Sequence, residues 1–118
     1  MGEQRRILVV DDEMLVAMML EDMLIELGYE VVGPAATLSE GLRHAETAEL
    51  DGAILDLSLG RGVVSTPIAE VLTKRGVPFL LATGYGSAAQ TDGFEPAGVL
   101  GKPFSAGDVQ AALEAALG

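Results

Sequence analysis

Short apolar runs of four to six residues alternate along the chain with longer stretches whose apolar positions recur at helical spacing. Residues 6–10 form a β-branched run that stops abruptly at Asp11-Asp12, the mark of a buried strand. A helix follows over 13–27, closed by Gly28. Residues 29–33 predict a second strand, stopped by Pro34, and 39–48 a helix capped by Ser39 with Leu42 and Ala45 on one face. A third apolar run, 52–56, again ends in an acid, Asp56. The span 67–75 reads as a helix, with Pro67 early in it and Gly76 just beyond. Strands are expected at 78–83 and 97–101, and a last helix over 105–117 with Ser105 as cap and Asp108 at its third position. Residues 87–98 carry Gly93, Pro96 and Gly98 with few apolar anchors, so any helix there should be short and weakly stable.

Apolar strands alternating with helices imply parallel pairing and a sheet covered on both faces. Five such units in this length predict an α/β fold, an open doubly wound five-stranded parallel sheet; a closed barrel needs about twice the chain. In open sheets of this type ligands sit beyond the carboxyl ends of the strands, near the switch in strand order. Those ends carry a specific set: Asp11 and Asp12 after the first strand, Asp56 on the third, Thr83 on the fourth, Lys102 after the fifth.

Composition narrows the chemistry. The chain has 118 residues, one domain's worth, with 49% hydrophobic and 21% charged residues, which excludes disorder. A net charge of −11 opposes binding to nucleic acid or anionic membranes. No apolar run is long enough to span a bilayer, and the start is too short for a secretory signal, so a cytoplasmic protein is expected. Zero cysteines exclude disulfides and thiolate zinc, and a single histidine, His44, argues against a charge-relay triad.

Three carboxylates converging at one sheet edge repel one another unless some are protonated or a cation lies among them. An oxygen-only ligand set favours a hard divalent ion, and Mg²⁺ suits a site that must also admit a phosphoryl group. Lys102 adds a mobile positive charge and Thr83 a small hydroxyl. A carboxylate beside Mg²⁺ and Lys is suited to attack phosphorus and form an acyl phosphate. Asp56, alone at the end of a central strand, is the best nucleophile; Asp11 and Asp12 look like a metal platform. Any one of these residues has an ordinary reading, Asp12 as a helix cap or Thr83 as a turn residue, but their joint occurrence at four strand ends is hard to obtain by accident.

The segments Val9-Val10-Asp11-Asp12-Glu13, Ile54-Leu55-Asp56, Ala82-Thr83-Gly84 and Gly101-Lys102-Pro103-Phe104 closely resemble the receiver domain of two-component response regulators, over essentially the whole chain. The resemblance implies the flavodoxin-like (βα)5 receiver fold, with Asp56 as phosphoacceptor for a histidine kinase. It implies Mg²⁺ held by Asp12, Asp56 and the Ser58 carbonyl, with Asp11 acting largely through water. It further implies phosphoryl contact by Lys102, a switching Thr83, and often a cis Lys102-Pro103 bond. The chain departs from the pattern at Val99, where receivers usually carry an aromatic, and in lacking a Met-Pro pair after the acceptor. Residues 79–86 resemble the Phe-Ala-Thr-Gly-Tyr motif of a subset of stand-alone receivers, with Leu81 in place of its Phe. Tyr85 then reads either as a reporter of phosphorylation or as a surface loop aromatic, and 87–98 as the element whose order changes with phosphorylation.

In the first helix one stripe (Val16, Leu20, Met23, Leu24, Leu27) suffices to cover a sheet, yet Met14, Leu15, Met18 and Ile25 fall on other arcs. Either neighbouring helices cover them or they form a Met-rich face for docking the kinase, the reading favoured here for Met14, Leu15 and Met18. Residues 60–62 read either as a contact for the phosphoryl donor or, the reading favoured here, as a flexible turn, and His44 is expected to be solvated. A single receiver domain over 1–118, with no effector domain, would signal through an unidentified downstream protein or act as a phosphate sink. Two other functions compete. A haloacid dehalogenase-type phosphatase expects a second acid two residues after its nucleophile, where this chain has Ser58. A flavin or nucleotide module expects a phosphate loop where Asp11-Asp12-Glu13 would repel phosphate.

Overall fold

A computed structural model describes residues 4–60, 62–83 and 96–117. Five strands, β1 (Arg6–Val10), β2 (Glu30–Ala35), β3 (Gly52–Asp56), β4 (Phe79–Thr83) and β5 (Gly98–Gly101), form one sheet in the order β2-β1-β3-β4-β5. Every neighbouring pair is parallel, as the apolar runs require. Four helices are described: α1 (Met14–Glu26), α2 (Leu38–Thr47), α3 (Thr66–Arg75) and α4 (Ala106–Leu117).

The helices divide between the two faces of the sheet, and alternation along each strand assigns the core residues to them. Leu8, Val10, Ala53, Leu55, Phe79 and Leu81 point to one face, where Ala45 of α2 and Ile68 and Leu72 of α3 meet them. Ile7, Val9, Ile54 and Leu80 point to the other, against Leu20 and Leu24 of α1 and Val109 and Leu113 of α4. β1, β3 and β4 are buried from one end to the other apart from the first residue of β1, because helices cover both their faces.

Two local expectations are corrected. Pro34 does not stop the second strand: β2 runs through it to Ala35, with a cis Gly33-Pro34 bond and a shift in register between Leu8 and Val10. β2 is an edge strand, so a residue without an N–H can face away from the ladder. Thr37, not Ser39, caps α2; its hydroxyl accepts from the Glu40 N–H at 3.2 Å, and Ser39 lies inside the helix. Thr37 is preferred because it is the residue whose extended backbone (φ −129°) aims the hydroxyl at the first turn. At α4 the expected reciprocal cap is present: Ser105 Oγ accepts from Asp108 N–H at 3.1 Å, and the Asp108 carboxylate accepts from Ser105 N–H at 2.9 Å. No described helix is long and apolar enough to cross a membrane.

Candidate functional site at the switch point of the sheet

The strand order reverses between β1 and β3, and the two strands deliver their acids to the same rim. Asp11 and Asp12 follow β1 directly, and Asp56 is the last residue of β3. Backbone hydrogen bonds continue the ladders past the strands and so fix where each side chain starts. Asp11 N–H donates to Ala35 O at 3.0 Å, Leu57 N–H to Ala82 O at 3.1 Å, and Lys102 N–H to Thr83 O at 2.9 Å. Asp56 stands opposite Ala82 in register and Thr83 opposite Gly101, which sets Thr83 one step further along the same rim.

One carboxylate oxygen from each of Asp11, Asp12 and Asp56 lies within 4.8 Å of the others. Asp11 and Asp56 are buried, at 1% and 6% exposure, while Asp12 faces solvent. Lys102 reaches into the group from the far side of β4. Its Nζ is 3.2 Å from Asp56 Oδ2, 3.4 Å from Asp11 Oδ2 and 3.5 Å from Glu13 Oε1. Asp11 Oδ1 accepts from the Glu13 N–H at 2.8 Å, so Asp11 braces the start of α1, whose N-cap, Glu13, has no side-chain cap of its own. The other oxygen, Asp11 Oδ2, is buried and makes no hydrogen bond.

The electrostatics follow from this packing. Burial, and then the charge of Asp11, push the Asp56 carboxyl up to about 6 against the pull of Lys102. Burial opposes the charge on Lys102, but Asp56 and Asp11 together outweigh it and hold the ammonium above its usual range. One ammonium cannot neutralise three carboxylates, and the buried Asp11 Oδ2, with no hydrogen bond, has only a share of that ammonium at 3.4 Å to offset its burial. A divalent cation among the acids would relieve both conditions. The donors are all oxygen, the chemistry that Mg²⁺ prefers, and the exposure of Asp12 leaves the open side that a water-retaining ion needs. The residues therefore fit a magnesium ion.

Of the residues named from sequence, Asp11, Asp12, Asp56 and Lys102 come together, and Thr83 is buried on the same rim. Ser58 sits just beyond Asp56 in an antiparallel bridge to Val64. Tyr85 and most of 87–98 lie outside the described residues. Met14, Leu15, Met18 and Ile25 of α1 are all more than half exposed, so none of the described helices covers them. Lys102-Pro103 is cis. Sequence reasoning missed two participants. Glu13 is a further carboxylate on Lys102, and only its adjacency to the aspartate pair hinted at it. The flexible turn expected at 60–62 is bracketed by the backbone hydrogen bonds of a small hairpin. Leu59 N–H donates to Val63 O at 2.8 Å, Val63 N–H to Gly60 O at 2.9 Å, and Ser65 N–H to Leu57 O at 3.1 Å.

Known proteins are similar to this chain. The family described as response regulator receiver domain matches residues 7–114. The transcriptional regulatory protein PdtaR of Mycobacterium tuberculosis is 34% identical over 116 residues, 96% of this chain and 57% of its own length. The phyllosphere-induced regulator PhyR of Methylorubrum extorquens is 35% identical over 114 residues, 94% of this chain and 43% of its own. The chain thus spans about half the length of these curated relatives. The solution structure of SdrG from Sphingomonas melonis Fr1 superposes with a TM-score of 0.80 at 41% identity, all of both chains being covered. The doubly wound sheet, the acid cluster at its switch point and these matches agree: the chain belongs to the response regulator receiver domain family, the phosphoacceptor module of two-component signalling.

Proposed function

We propose that Asp56 accepts a phosphoryl group from the phosphohistidine of a histidine kinase. The observation that carries this is the burial of Asp56 beside Asp11 with Lys102 Nζ 3.2 Å away. An Asp56 carboxylate oxygen attacks phosphorus, the donor's P–N bond breaks and an acyl phosphate forms. Asp11, Asp12, Asp56 and the Ser58 carbonyl would hold Mg²⁺, which supplies positive charge for the equatorial phosphoryl oxygens. Lys102 releases Asp56 and meets the same oxygens, and Asp11 holds Lys102 near while it does so. The same residues assist hydrolysis of the adduct by water, so the domain promotes its own phosphorylation and dephosphorylation without being an enzyme for other substrates.

Thr83, at the end of β4, turns toward the phosphoryl group and signals the change; Val99 leaves no aromatic to follow it, and the sequence offers Tyr85 for that role. Output is contact with a downstream protein, or depletion of kinase phosphate.

Incubation with acetyl phosphate and Mg²⁺ tests the reading. A receiver takes up one base-labile phosphoryl group; a phosphatase of the dehalogenase type turns over a general phosphomonoester; a flavin or nucleotide module does neither.

The kinase docks on α1. That helix is apolar on nearly every side, and a helix of this kind needs a partner on the face its own domain leaves open. Leu15 is 78% exposed, with Met14 and Met18 beside it. Leu15→Glu therefore changes stability by less than about 0.5 kcal/mol. It slows phosphotransfer from the kinase by at least about tenfold, and labelling by acetyl phosphate proceeds at the parent's rate. Equal slowing with both donors would remove α1 from the kinase interface.

A further inference from the structure

We infer that Gly60 is a positioning residue for the metal site: the bare backbone at this point of the β3–α3 hairpin makes room for the Asp12 carboxylate. This rests on the reading of Asp11, Asp12 and Asp56 as Mg²⁺ ligands. Gly60 has φ +86°, and a Cβ built on it would lie 2.9 Å from Asp12 Oδ2, closer than nonbonded carbon and oxygen tolerate. The hairpin cannot simply lift away. Gly60 O accepts from Val63 N–H, Leu59 and Val63 are bonded to each other, and Leu59 is buried against the core. Asp12 must then give way instead. It is exposed, and with Gly60 it lines an open cleft of about 800 Å³ toward α2, so it has space to swing out. Swinging out separates its oxygen from those of Asp11 and Asp56, which now lie within 4.8 Å of it. Mg²⁺ tolerates such departures poorly because it demands near-octahedral geometry.

Gly62 supplies the control. It sits in the same turn with φ +77°, and a Cβ there would meet nothing within 4 Å. Gly60→Ala and Gly62→Ala therefore impose the same left-handed backbone on alanine, but only the first places a methyl on Asp12. Isothermal titration with MgCl₂ should show Gly60→Ala binding about tenfold more weakly than the parent, the scale typical of residues that orient metal ligands. Gly62→Ala should stay within about twofold of the parent, with the two variants losing similar melting temperature when chelated. Gly60→Asn keeps the Cβ while tolerating positive φ, and should show the same weakening even if Gly60→Ala folds poorly. In an Asp12→Ala background Gly60→Ala should cause no additional loss, since the group it presses on is gone. Equal affinities for Gly60→Ala and Gly62→Ala, or an undiminished effect without Asp12, would overturn the assignment. A parent protein that binds no Mg²⁺ would instead contradict the reading of the acid cluster.

Discussion

Asp56→Asn loses all labelling by acetyl phosphate and yet, with metal chelated, is more stable than the parent at neutral pH. The first half follows from chemistry: an amide has no anionic oxygen to attack phosphorus, and no described neighbour occupies the same position. The second follows from where the residue is. Asp56 is 6% exposed, and its carboxyl is raised from 3.8 to about 6 by burial and by the charge of Asp11. The folded state thus disfavours the ionised form. Below about pH 4 the carboxyl is protonated whether the chain is folded or not, and the variant has no advantage. Between about 4 and 6 the unfolded chain ionises first, so the parent loses stability as pH rises. Above about 6 the full difference is present, on the order of 3 kcal/mol at about 1.4 kcal/mol per pH unit. Urea titrations of both proteins in EDTA at about pH 4 and pH 7 check this. The gap should open with rising pH and narrow when Mg²⁺ is added, because only the parent offers the third carboxylate. A gap that ignores pH, or a variant less stable at pH 7, would show that Asp56 is not under the stress its surroundings imply.

Ile54→Ala should cost about 3–4 kcal/mol, among the largest losses available in this fold. Ile54 lies in the middle of β3, opposite Val9 on β1 and Leu80 on β4, and is fully buried with Leu20, Leu24 and Leu113. Strands border it on both sides and helices cover it, so the surroundings cannot collapse into the space it leaves. Against a typical total of about 5–15 kcal/mol, the melting temperature should fall by roughly 15 °C. Ile25→Ala removes the same atoms from α1, where Ile25 is 58% exposed, and should cost under about 0.5 kcal/mol. Thermal unfolding of the pair separates the two faces of the molecule; similar losses would mean that Ile25 is covered in solution.

The strands and the acid site could be read from the sequence because single features there have few alternatives. An apolar run such as 52–56, closed by an aspartate, has little use except as a buried parallel strand with its acid at the rim. The details that escaped depend on where an element lies in the assembled sheet. Pro34 is a strand breaker in the interior, and only the edge position of β2 lets it stay in the strand. Thr37 and Ser39 are equally good caps by composition; the backbone chooses between them. Ala17 is a buried residue of α1 that the apolar stripe does not include, because alanine gives a weak apolar signal. The hairpin over Leu57–Ser65 rests on backbone hydrogen bonds, which side-chain patterns do not encode, and so the approach of Gly60 to Asp12 was invisible until the chain was folded.

The most direct test traps the acceptor. After incubation with acetyl phosphate, borohydride reduces an acyl phosphate to an alcohol, and peptide mass spectrometry reads which aspartate carried it. The account predicts reduction at Asp56 alone, abolished by EDTA and restored by Mg²⁺. Reduction at Asp11 or Asp12, or labelling of Asp56 that persists without a divalent cation, would contradict it.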